Sequence, residues 1–290
     1  MGSRPCACCQ SGDPQPHLDG LLRCTKCGHV WVGEGLTDDE VRALYSEQYF
    51  SGAEYYDYEK QERALVLNFR RRIAELVKRR PGGGRLWEIG AAYGFFLREA
   101  SEHFQVAGCD ISDSAARYAR ERLGLEVSAI DYLDWECPEP FDVICMWDTI
   151  EHLRDPRAYV AKAAADMRSG GLIGLSTGDI GSLAARLRGK NWRLLHFPTH
   201  LHYFTGRSMT ALLTALGFGD VEIGYPAFWR DASAVGYELF GRSRHSMARA
   251  AYKALQSKGL LDFCFPFNLF DTMTVYARKK ADGPRPEEQP

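Results

Sequence analysis

The sequence contains no apolar run long enough to span a membrane, and its N-terminus lacks the apolar core of a signal peptide. It also lacks a charge excess, because the formal net charge is −2 over 290 residues. Proteins that mainly bind phosphate backbones are strongly basic, so this balance argues against that class. These absences predict a cytoplasmic protein whose partner is neither a membrane nor a nucleic acid. The length suits one large domain plus a small module.

Cysteine is unevenly distributed, since five of the nine cysteines lie within the first 27 residues. In a cytoplasmic protein they are expected to be thiols or metal ligands rather than disulfides. Four of them form two CxxC pairs around a turn-rich loop: Cys6 and Cys9, then Cys24 and Cys27. Four thiolates can enclose one tetrahedral Zn²⁺ ion. So short a segment needs a bound metal or another cross-link to fold. The pattern predicts a structural zinc ribbon over residues 1–37, in which Cys8 is an extra thiol that could replace Cys9.

The most informative stretch is residues 85–110, RLWEIGAAYGFFLREASEHFQVAGCD. It reads as an apolar run ending in Glu88, a glycine-spaced turn, an amphipathic helix, and a second apolar run ending at Asp110. This order is typical of a nucleotide-binding βαβ unit, in which the final acid binds the ribose hydroxyls. The turn lacks the GxGxxG spacing of a diphosphate site and carries an acid, with Phe95 and Phe96 behind it. It therefore favours a cationic ligand without phosphate.

The turn, in which Glu88 is followed by Gly90, Ala92 and Gly94, resembles the first motif of class I S-adenosylmethionine-dependent methyltransferases, (D/E)xGxGxG. Ala92 departs from that motif at its middle glycine. The resemblance implies an α/β fold with a Rossmann-like seven-stranded methyltransferase sheet, and S-adenosylmethionine as the cofactor. It also implies that the turn lies along the methionine part of this donor and that Asp110 holds its ribose.

Alternating apolar runs and helical patterns support this fold. They predict strands at 85–89, 106–109, 126–128, 142–146 and 172–176, a helix near 207–216, and later strands near 221–224 and 272–277. The methyltransferase domain is expected to cover residues 81–279, and residues 280–290 are expected to form a disordered tail.

Residues 38–80 are predicted to form an aromatic and helical linker and lid. A helix is expected over 38–46, and a long amphipathic helix is expected from about residue 59 to 80. Five arginines lie on this long helix, and we interpret them as a solvated face rather than an RNA-binding patch: Arg70, Arg71, Arg72, Arg79 and Arg80.

The resemblance implies further donor contacts beyond the carboxyl ends of other strands, where ligands of doubly wound sheets bind. Ile111 would cover the adenine, and Asp131, followed by Tyr132, matches an acid that accepts from the adenine amino group. Trp147 lies in a stretch resembling the family's EHL segment, which borders the reacting methyl group. The complete predicted donor-binding set is Glu88, Gly90, Ala92, Gly94, Phe96, Asp110, Ile111, Asp131, Tyr132 and Trp147.

Three histidines are candidates for the base that takes a proton from the acceptor. His200 and His202 lie in HLHYFT, which is similar to an EHxxYFS-like stretch of zinc-ribbon-bearing sugar C-methyltransferases. That resemblance favours His200, although Thr199 replaces the acid before it. In an extended segment both histidines would share one face, so either could act. His152, in the EHL segment, is the third candidate.

Together these features predict an enzyme that methylates a small molecule, such as a sugar nucleotide or a natural-product intermediate. The sequence has no [DNS]PP[YFW] motif after the fourth strand, which argues against DNA adenine methylation. Two alternatives stay open. One is an rRNA base methyltransferase whose zinc module recognises RNA, and the other is a non-catalytic protein that binds the donor and contacts partners. The oligomeric state and the methylated atom also stay open.

Overall fold

The computed structural model describes residues 5–33, 62–197, 199–241 and 245–281. The predicted helix over 38–46, the aromatic segment that follows it, and residues 282–290 of the predicted tail lie outside these ranges. Within the described ranges, no helix combines the length and apolar character needed to cross a membrane.

The described residues form thirteen strands, numbered in chain order: β1 (Pro14–Pro16), β2 (Leu21–Cys24), β3 (Val30–Val32), β4 (Arg85–Ile89), β5 (Gln105–Asp110), β6 (Val127–Ala129), β7 (Phe141–Trp147), β8 (Met167–Gly178), β9 (His202–Tyr203), β10 (Phe218–Gly224), β11 (Phe228–Asp231), β12 (Cys264–Phe267) and β13 (Thr272–Lys279). The α-helices in the same ranges are α1 (Glu62–Arg79), α2 (Phe95–Ala100), α3 (Asp113–Leu123), α4 (Pro156–Asp166), α5 (Leu183–Arg188), α6 (Gly206–Ala215), α7 (Ala232–Gly236) and α8 (Ser246–Ser257).

Seven strands form the main sheet, in the spatial order β10-β13-β8-β7-β4-β5-β6. Strands β4 to β8 run parallel to one another, whereas β13 is antiparallel to both β8 and β10. The predicted α/β fold with a seven-stranded methyltransferase sheet is therefore confirmed. Because the parallel strands end at one edge, the segments after β4, β5, β6 and β7 meet there.

The bounds of β8 differ most from the prediction, since the strand begins at Met167 rather than Leu172. Residues 168–171, RSGG, show no apolar alternation and therefore give no strand signal. They extend the strand because Met167 pairs with Phe141 of β7, across an irregularity in the register. Pairing with a neighbour thus overrides weak local propensity.

Helices cover both faces of the main sheet. Helices α1, α2 and α3 pack on one face, and α4 and α6 pack on the other. The interpretation of the α1 arginines as solvated is wrong for Arg72, which is only 4% exposed. Arg72 follows Phe69 by three residues and precedes Leu76 by four, so it lies on the buried face of the helix.

A second sheet joins the N-terminal segment to the main domain. Its strands are antiparallel in the order β1-β2-β3-β9, and β9 comes from the chain between α5 and α6. Val30 pairs with Tyr203, and Trp31 pairs with His202. The amide of Val32 also donates to the carbonyl of Leu201 at 3.1 Å. The cysteine-rich segment is therefore docked by backbone pairing next to the HLHYFT stretch.

Candidate active site

The glycine-spaced turn after β4 lies tightly against the neighbouring strands. Gly90 and Gly94 have φ angles of 77° and 80°, a left-handed conformation that glycine adopts without steric cost. The amides of Gly90 and Ala91 both donate to the carbonyl of Cys109, at 2.9 and 3.0 Å. A Cβ atom on Gly90 would lie 2.7 Å from the side chain of Thr149. The turn therefore approaches the segment after β7 more closely than any larger residue permits.

Ala92, which replaces the middle glycine of the motif, has a φ of 46°. This conformation destabilises a non-glycine residue by about 1 kcal/mol or more. We expect Ala92→Gly to raise the free energy of unfolding by up to about 1 kcal/mol, because relief of strain exceeds the added entropy of the unfolded chain. Denaturant unfolding measures the change. Ala91→Gly is the matched control and should be destabilising, and a less stable Ala92→Gly protein would contradict the explanation.

Asp110 ends β5 beside this turn and is 6% exposed. Its Oδ2 atom accepts a hydrogen bond from the Ala92 amide at 2.8 Å, and its Oδ1 atom accepts one from the Ser112 amide at 2.8 Å. Burial raises the pKa of Asp110, and the two amide bonds oppose that rise. A carboxylate oxygen has two acceptor sites, so each oxygen keeps capacity for a ribose hydroxyl.

An ion pair at the end of β7, between the buried Arg72 and the exposed side chain of Asp148, was not predicted from the sequence. The Arg72 guanidinium donates to Asp148 Oδ2 at 2.8 Å and to Ser176 Oγ at 2.9 Å, and its Cζ lies 4.8 Å from the centroid of the Trp147 ring. Asp148 has a φ of 52°, a conformation that concentrates at functional sites. Partial desolvation at this edge of the sheet opposes ionisation of Asp148, but Arg72 and Ser176 lower its pKa below the usual value. The sequence signal that could have identified Arg72 is its helical spacing from Phe69 and Leu76, which places it on the buried face of α1.

Glu88, the acid of the motif, is 3% exposed. Its Oε2 atom has no hydrogen-bond partner among the described residues. Burial raises the pKa of Glu88 well above its usual value, and the charge of Arg72 opposes that rise. A buried carboxyl oxygen without a partner requires explanation, and a bound ligand with a donor group supplies one.

The residues predicted at the adenine end occupy the edge beyond β5 and β6. Ile111 is 49% exposed directly after Asp110. Tyr159 Oη donates to Asp131 Oδ1 at 2.6 Å, and the Leu133 amide donates to the same oxygen at 2.9 Å. Because both bonds end on Oδ1, Oδ2 is the atom of Asp131 suited to accept from a ligand amino group.

The three predicted aromatic contacts are buried in the core: Phe96, Tyr132 and Trp147 are 1%, 1% and 7% exposed. The Tyr132 hydroxyl donates to Asp166 Oδ2 at 2.7 Å. The rings of Phe96 and Trp147 meet edge to face, with centroids 5.5 Å apart. Their side chains are therefore largely enclosed by protein, and their predicted contact with the donor stays a prediction.

His152 and His200 lie together, with ring centroids 4.6 Å apart and ring planes at 84°. Nδ1 of His152 is 2.9 Å from the Thr199 carbonyl oxygen, and Nδ1 of His200 is 3.0 Å from the Leu194 carbonyl oxygen. Burial lowers the pKa of His152 to about 4. Burial and the neighbouring His152 lower the pKa of His200 to about 3. Both rings are therefore neutral at pH 7.

Glu151 lies beside this histidine pair and was not singled out as a site residue from the sequence. It is 4% exposed, and its Oε2 atom has no partner among the described residues. Burial and the nearby Asp148 charge raise the pKa of Glu151 to about 8. One potential ligand atom from each of Glu151, His152 and His200 lies within 4.8 Å of the other two.

His202 has different neighbours from His200. Its Nδ1 atom is 3.2 Å from Nε2 of His29, and the two rings stack with centroids 5.2 Å apart at 9°. His200 and His202 were expected to share one face if this stretch were extended, but the paired strand begins only at His202, and the two rings have different neighbours. Burial and the adjacent His29 lower the pKa of His202 to about 3. His202 therefore lies within the N-terminal sheet, with its ring against His29.

The four predicted zinc ligands converge: one Sγ atom from each lies within 4.8 Å of the other three, in the set Cys6, Cys9, Cys24 and Cys27. Gly28 follows with a φ of 80°, as a tight turn after the second pair requires. Cys8 is also buried and forms a second close group with Cys6 and His29. Cys8, which the sequence offers as an alternative to Cys9, thus also lies near the cluster of four cysteines.

Comparison with known proteins agrees with this architecture. A sequence profile of the family described as "Methyltransferase domain" matches residues 58–223, more than half of the chain. The chain is 28% identical over 103 residues to the ubiquinone biosynthesis O-methyltransferase of Idiomarina loihiensis, covering 33% of this chain and 42% of that protein. It is 32% identical over 103 residues to the protein of that name from Nitrosomonas europaea, covering 33% and 40%. The chain thus spans about two fifths of the length of these curated relatives.

Solved structures show the same fold. A S-adenosylmethionine-dependent methyltransferase of Thermotoga maritima, described as a possible histamine N-methyltransferase, aligns with a TM-score of 0.53 at 18% identity, covering 77% of this chain and 95% of that one. A S-adenosylmethionine-dependent methyltransferase of Archaeoglobus fulgidus aligns with a TM-score of 0.51 at 19% identity, covering 82% and 99%. At these identities the similarity concerns the fold. Because the family profile covers more than half of the chain and these structures share its fold, the chain belongs to the methyltransferase domain family.

Proposed function

We propose that this protein transfers the methyl group of S-adenosylmethionine to a small-molecule acceptor. The observation that carries the proposal is the contact between the glycine-spaced turn and Asp110, whose carboxylate accepts from the Ala92 amide. The curated relatives are named O-methyltransferases, which supports an acceptor oxygen. A hydroxyl-bearing sugar nucleotide or natural-product intermediate is the acceptor class that we favour.

The donor is held mainly by acidic groups in this proposal. Asp110 accepts from the ribose hydroxyls, Asp131 accepts from the adenine amino group, and Glu88 lies with the turn along the methionine part. Asp110 and Asp131 each have an acceptor position that no hydrogen bond within the described protein uses. This set suits a ligand that carries a positive sulfonium and no phosphate, because unpaired anions would repel a diphosphate.

Methyl transfer is an in-line displacement in which the bond from carbon to sulfur breaks as the bond from carbon to the acceptor forms. The sulfonium charge disappears, and the acceptor proton must leave. The protein aligns the two reactants, excludes water and receives this proton. We propose His200 as the base, because HLHYFT resembles the stretch that supplies the base in zinc-ribbon-bearing sugar C-methyltransferases, and its neutral ring at pH 7 has a nitrogen free of a proton. His152 and His202 are the alternatives.

We also propose that Cys6, Cys9, Cys24 and Cys27 hold one structural Zn²⁺ ion in a module of about residues 1–37. Four thiolates complete a tetrahedral shell and leave no position for a substrate. The close approach of the four sulfur atoms supports this ligand set. Because β9 belongs to the same sheet, the metal would also stabilise the backbone that follows His200.

Isothermal titration with S-adenosylmethionine or its demethylated product tests the donor assignment. We expect one site per chain in the wild type, and we expect Asp110→Ala to weaken binding by about a hundredfold or more, because two hydrogen bonds to a charged acceptor are lost. Asp113→Ala is the control, since that side chain is 70% exposed on α3 and should leave the affinity unchanged.

The Asp110→Ala protein also loses the acceptor for two backbone amides, so its melting temperature must be measured beside its affinity. Wild-type protein that binds neither nucleotide would refute the donor assignment. Donor binding without turnover of any hydroxyl acceptor would instead indicate a binding protein.

A further inference from the structure

Three guanidinium groups lie around the edge where β7 and β8 end, and only two of them are matched by a carboxylate. Arg72 donates to Asp148 Oδ2 at 2.8 Å. Arg193 donates to both oxygens of the buried Asp271, from Nη2 at 2.7 Å and from Nε at 3.2 Å. The third is Arg230 of β11, which is exposed and forms no hydrogen bond or ion pair within the described part of the chain. Its charge is therefore available to a ligand.

The geometry of β11 directs Arg230 toward the end of β7. Phe228, two residues earlier on this strand, lies against Arg72, with its ring centroid 5.7 Å from Arg72 Cζ. Alternate residues of a strand point to the same side, so Arg230 lies on the side of β11 that faces Arg72 and its partner Asp148. Asn68 of α1 holds the strand in place, because its side chain bonds both the amide and the carbonyl of the residue between Phe228 and Arg230.

Arg193 is anchored to the neighbouring part of the same edge. Its Nη2 atom also donates to Thr272 Oγ1 at 3.1 Å, and Thr272 pairs with Gly178 at the end of β8. The amide of Asp148 donates to the carbonyl of Ser176, two residues earlier on β8. Two residues of a strand span about 7 Å. Arg193 and Asp148 are therefore attached to adjacent positions on one side of the edge.

Arg193 and Arg230 are close enough to affect each other. Partial desolvation lowers the pKa of Arg230, the charge of Arg193 lowers it further, and the charges of Asp148 and Asp271 oppose the fall. Both guanidinium groups stay charged at pH 7, because arginine is not deprotonated in proteins. The Nη1 atom of Arg193 and all the donors of Arg230 form no hydrogen bond with the described residues. Two neighbouring cations with unused donors suit a ligand that is negatively charged and only accepts.

We infer that Arg193 and Arg230 bind an oxyanion carried by the methyl acceptor, either a phosphate or a carboxylate group. That this ligand is the acceptor rests on the proposed function, whereas the anion site itself does not. Guanidinium groups bind such oxygens through paired, charge-assisted hydrogen bonds, which fix both position and orientation. An acceptor held there would extend along the edge toward Asp148 and Thr149, and Thr149 lies against the glycine-spaced turn. The site would thus select anionic acceptors over neutral ones.

The test titrates small anions into the full-length protein by calorimetry, with and without the demethylated product of the donor. Uridine diphosphate probes for a phosphate site and 4-hydroxybenzoate for a carboxylate site, and uridine and 4-hydroxybenzyl alcohol are their neutral counterparts. We expect saturable binding of at least one charged probe and none of its neutral counterpart. We expect Arg230→Ala to weaken that binding by about tenfold or more, and Arg230→Lys to restore part of it. Arg122→Ala is the control, because Arg122 is exposed in the last turn of α3.

Binding of a charged probe that is weakened in Arg230→Ala and kept in the control would establish the site, and the probe that binds would identify the anion. No saturable binding of either charged probe, or equal binding by wild type and Arg230→Ala, would overturn it. Arg193→Ala should also weaken binding, but it leaves Asp271 buried without its cation. The exposed Arg230 therefore supplies the decisive variant even if Arg193→Ala is unstable.

A S-adenosylmethionine titration on the same samples separates this inference from the proposed function. We expect Arg230→Ala to bind the donor as tightly as the wild type does. Weaker donor binding in that variant would assign Arg230 to the carboxylate of the donor and overturn the acceptor site. Anion binding by a wild-type protein that does not bind the donor would refute only the transferase.

Discussion

Replacing Cys24 and Cys27 together by serine is expected to remove zinc from the protein and to unfold the N-terminal sheet. Elemental analysis of the wild type should find about one zinc per chain, and analysis of the double variant should find none. The effect is expected to be large, because structural zinc contributes about 10–16 kcal/mol to the folding of small zinc modules. Strands β1 to β3 bury few apolar side chains, among them Leu21 and Val30, so they have little else to stabilise them.

A second double variant, Cys137→Ser with Cys264→Ser, controls for the loss of two thiols. Both cysteines are partly buried in the main domain, and their replacement should leave the zinc content unchanged. Stoichiometric zinc in the Cys24 and Cys27 variant would place the metal elsewhere. A wild-type protein without zinc would contradict the ribbon itself.

The loss of zinc is also expected to reach the main domain. Trp31 pairs with His202, and Thr205 Oγ1 donates to the Cys27 carbonyl at 3.1 Å. Amide protons of residues 199–205 should therefore exchange faster in the zinc-free protein, while those of the central strand β4 keep their protection. Hydrogen exchange measured by mass spectrometry detects this difference. Unchanged exchange over residues 199–205 would show that the zinc module does not stabilise this part of the main domain.

Replacing His200 by alanine is expected to lower kcat by about a factor of 10² or more, with the affinity for S-adenosylmethionine unchanged. The ring of His200 contacts His152, His196, Tyr203 and the Leu194 carbonyl, whereas the ribose is assigned to Asp110. The measurement requires an acceptor that supports turnover, with kcat and donor affinity determined on the same protein.

His202→Ala is the matched control within the HLHYFT stretch. Its ring stacks on His29, so its loss should loosen the N-terminal sheet and change the melting temperature more than the chemical step. Wild-type turnover by His200→Ala would remove His200 from the mechanism and shift attention to His152 or His202. A large loss of kcat in both variants would show that the stretch acts as one unit.

Local patterns were sufficient where a segment carries its own periodicity and turn chemistry. Strand β4 has the predicted bounds Arg85–Ile89, and α6 begins within one residue of its prediction because Thr205 and Ser208 form a capping box. The spacing of the glycines also predicted a turn after β4, and the structure places Gly90 and Gly94 of that turn in the left-handed region. Such features depend on neighbours within a few residues, so the sequence alone determines them.

Contacts between distant segments were decided by the tertiary structure. The ion pair between Arg72 and Asp148 joins α1 to the end of β7. The sequence did not reveal it, because arginines on a helix are usually exposed to solvent. Strand β9 has only two residues, and it exists because the edge of β3 is available to it. Glu151 becomes a neighbour of His200 only because Leu201 is bonded to its carbonyl.

The sequence by itself therefore determined the strand alternation, the acidic glycine-spaced turn and the grouping of four cysteines into two pairs, because each depends on spacing along the chain. Only the tertiary structure decided which histidine meets which neighbour: His200 lies with His152 and Glu151, whereas His202, two residues later, lies against His29. The physical reason is that strand pairing begins at His202, and a pairing partner about 170 residues away in the chain leaves no periodic trace in the local sequence.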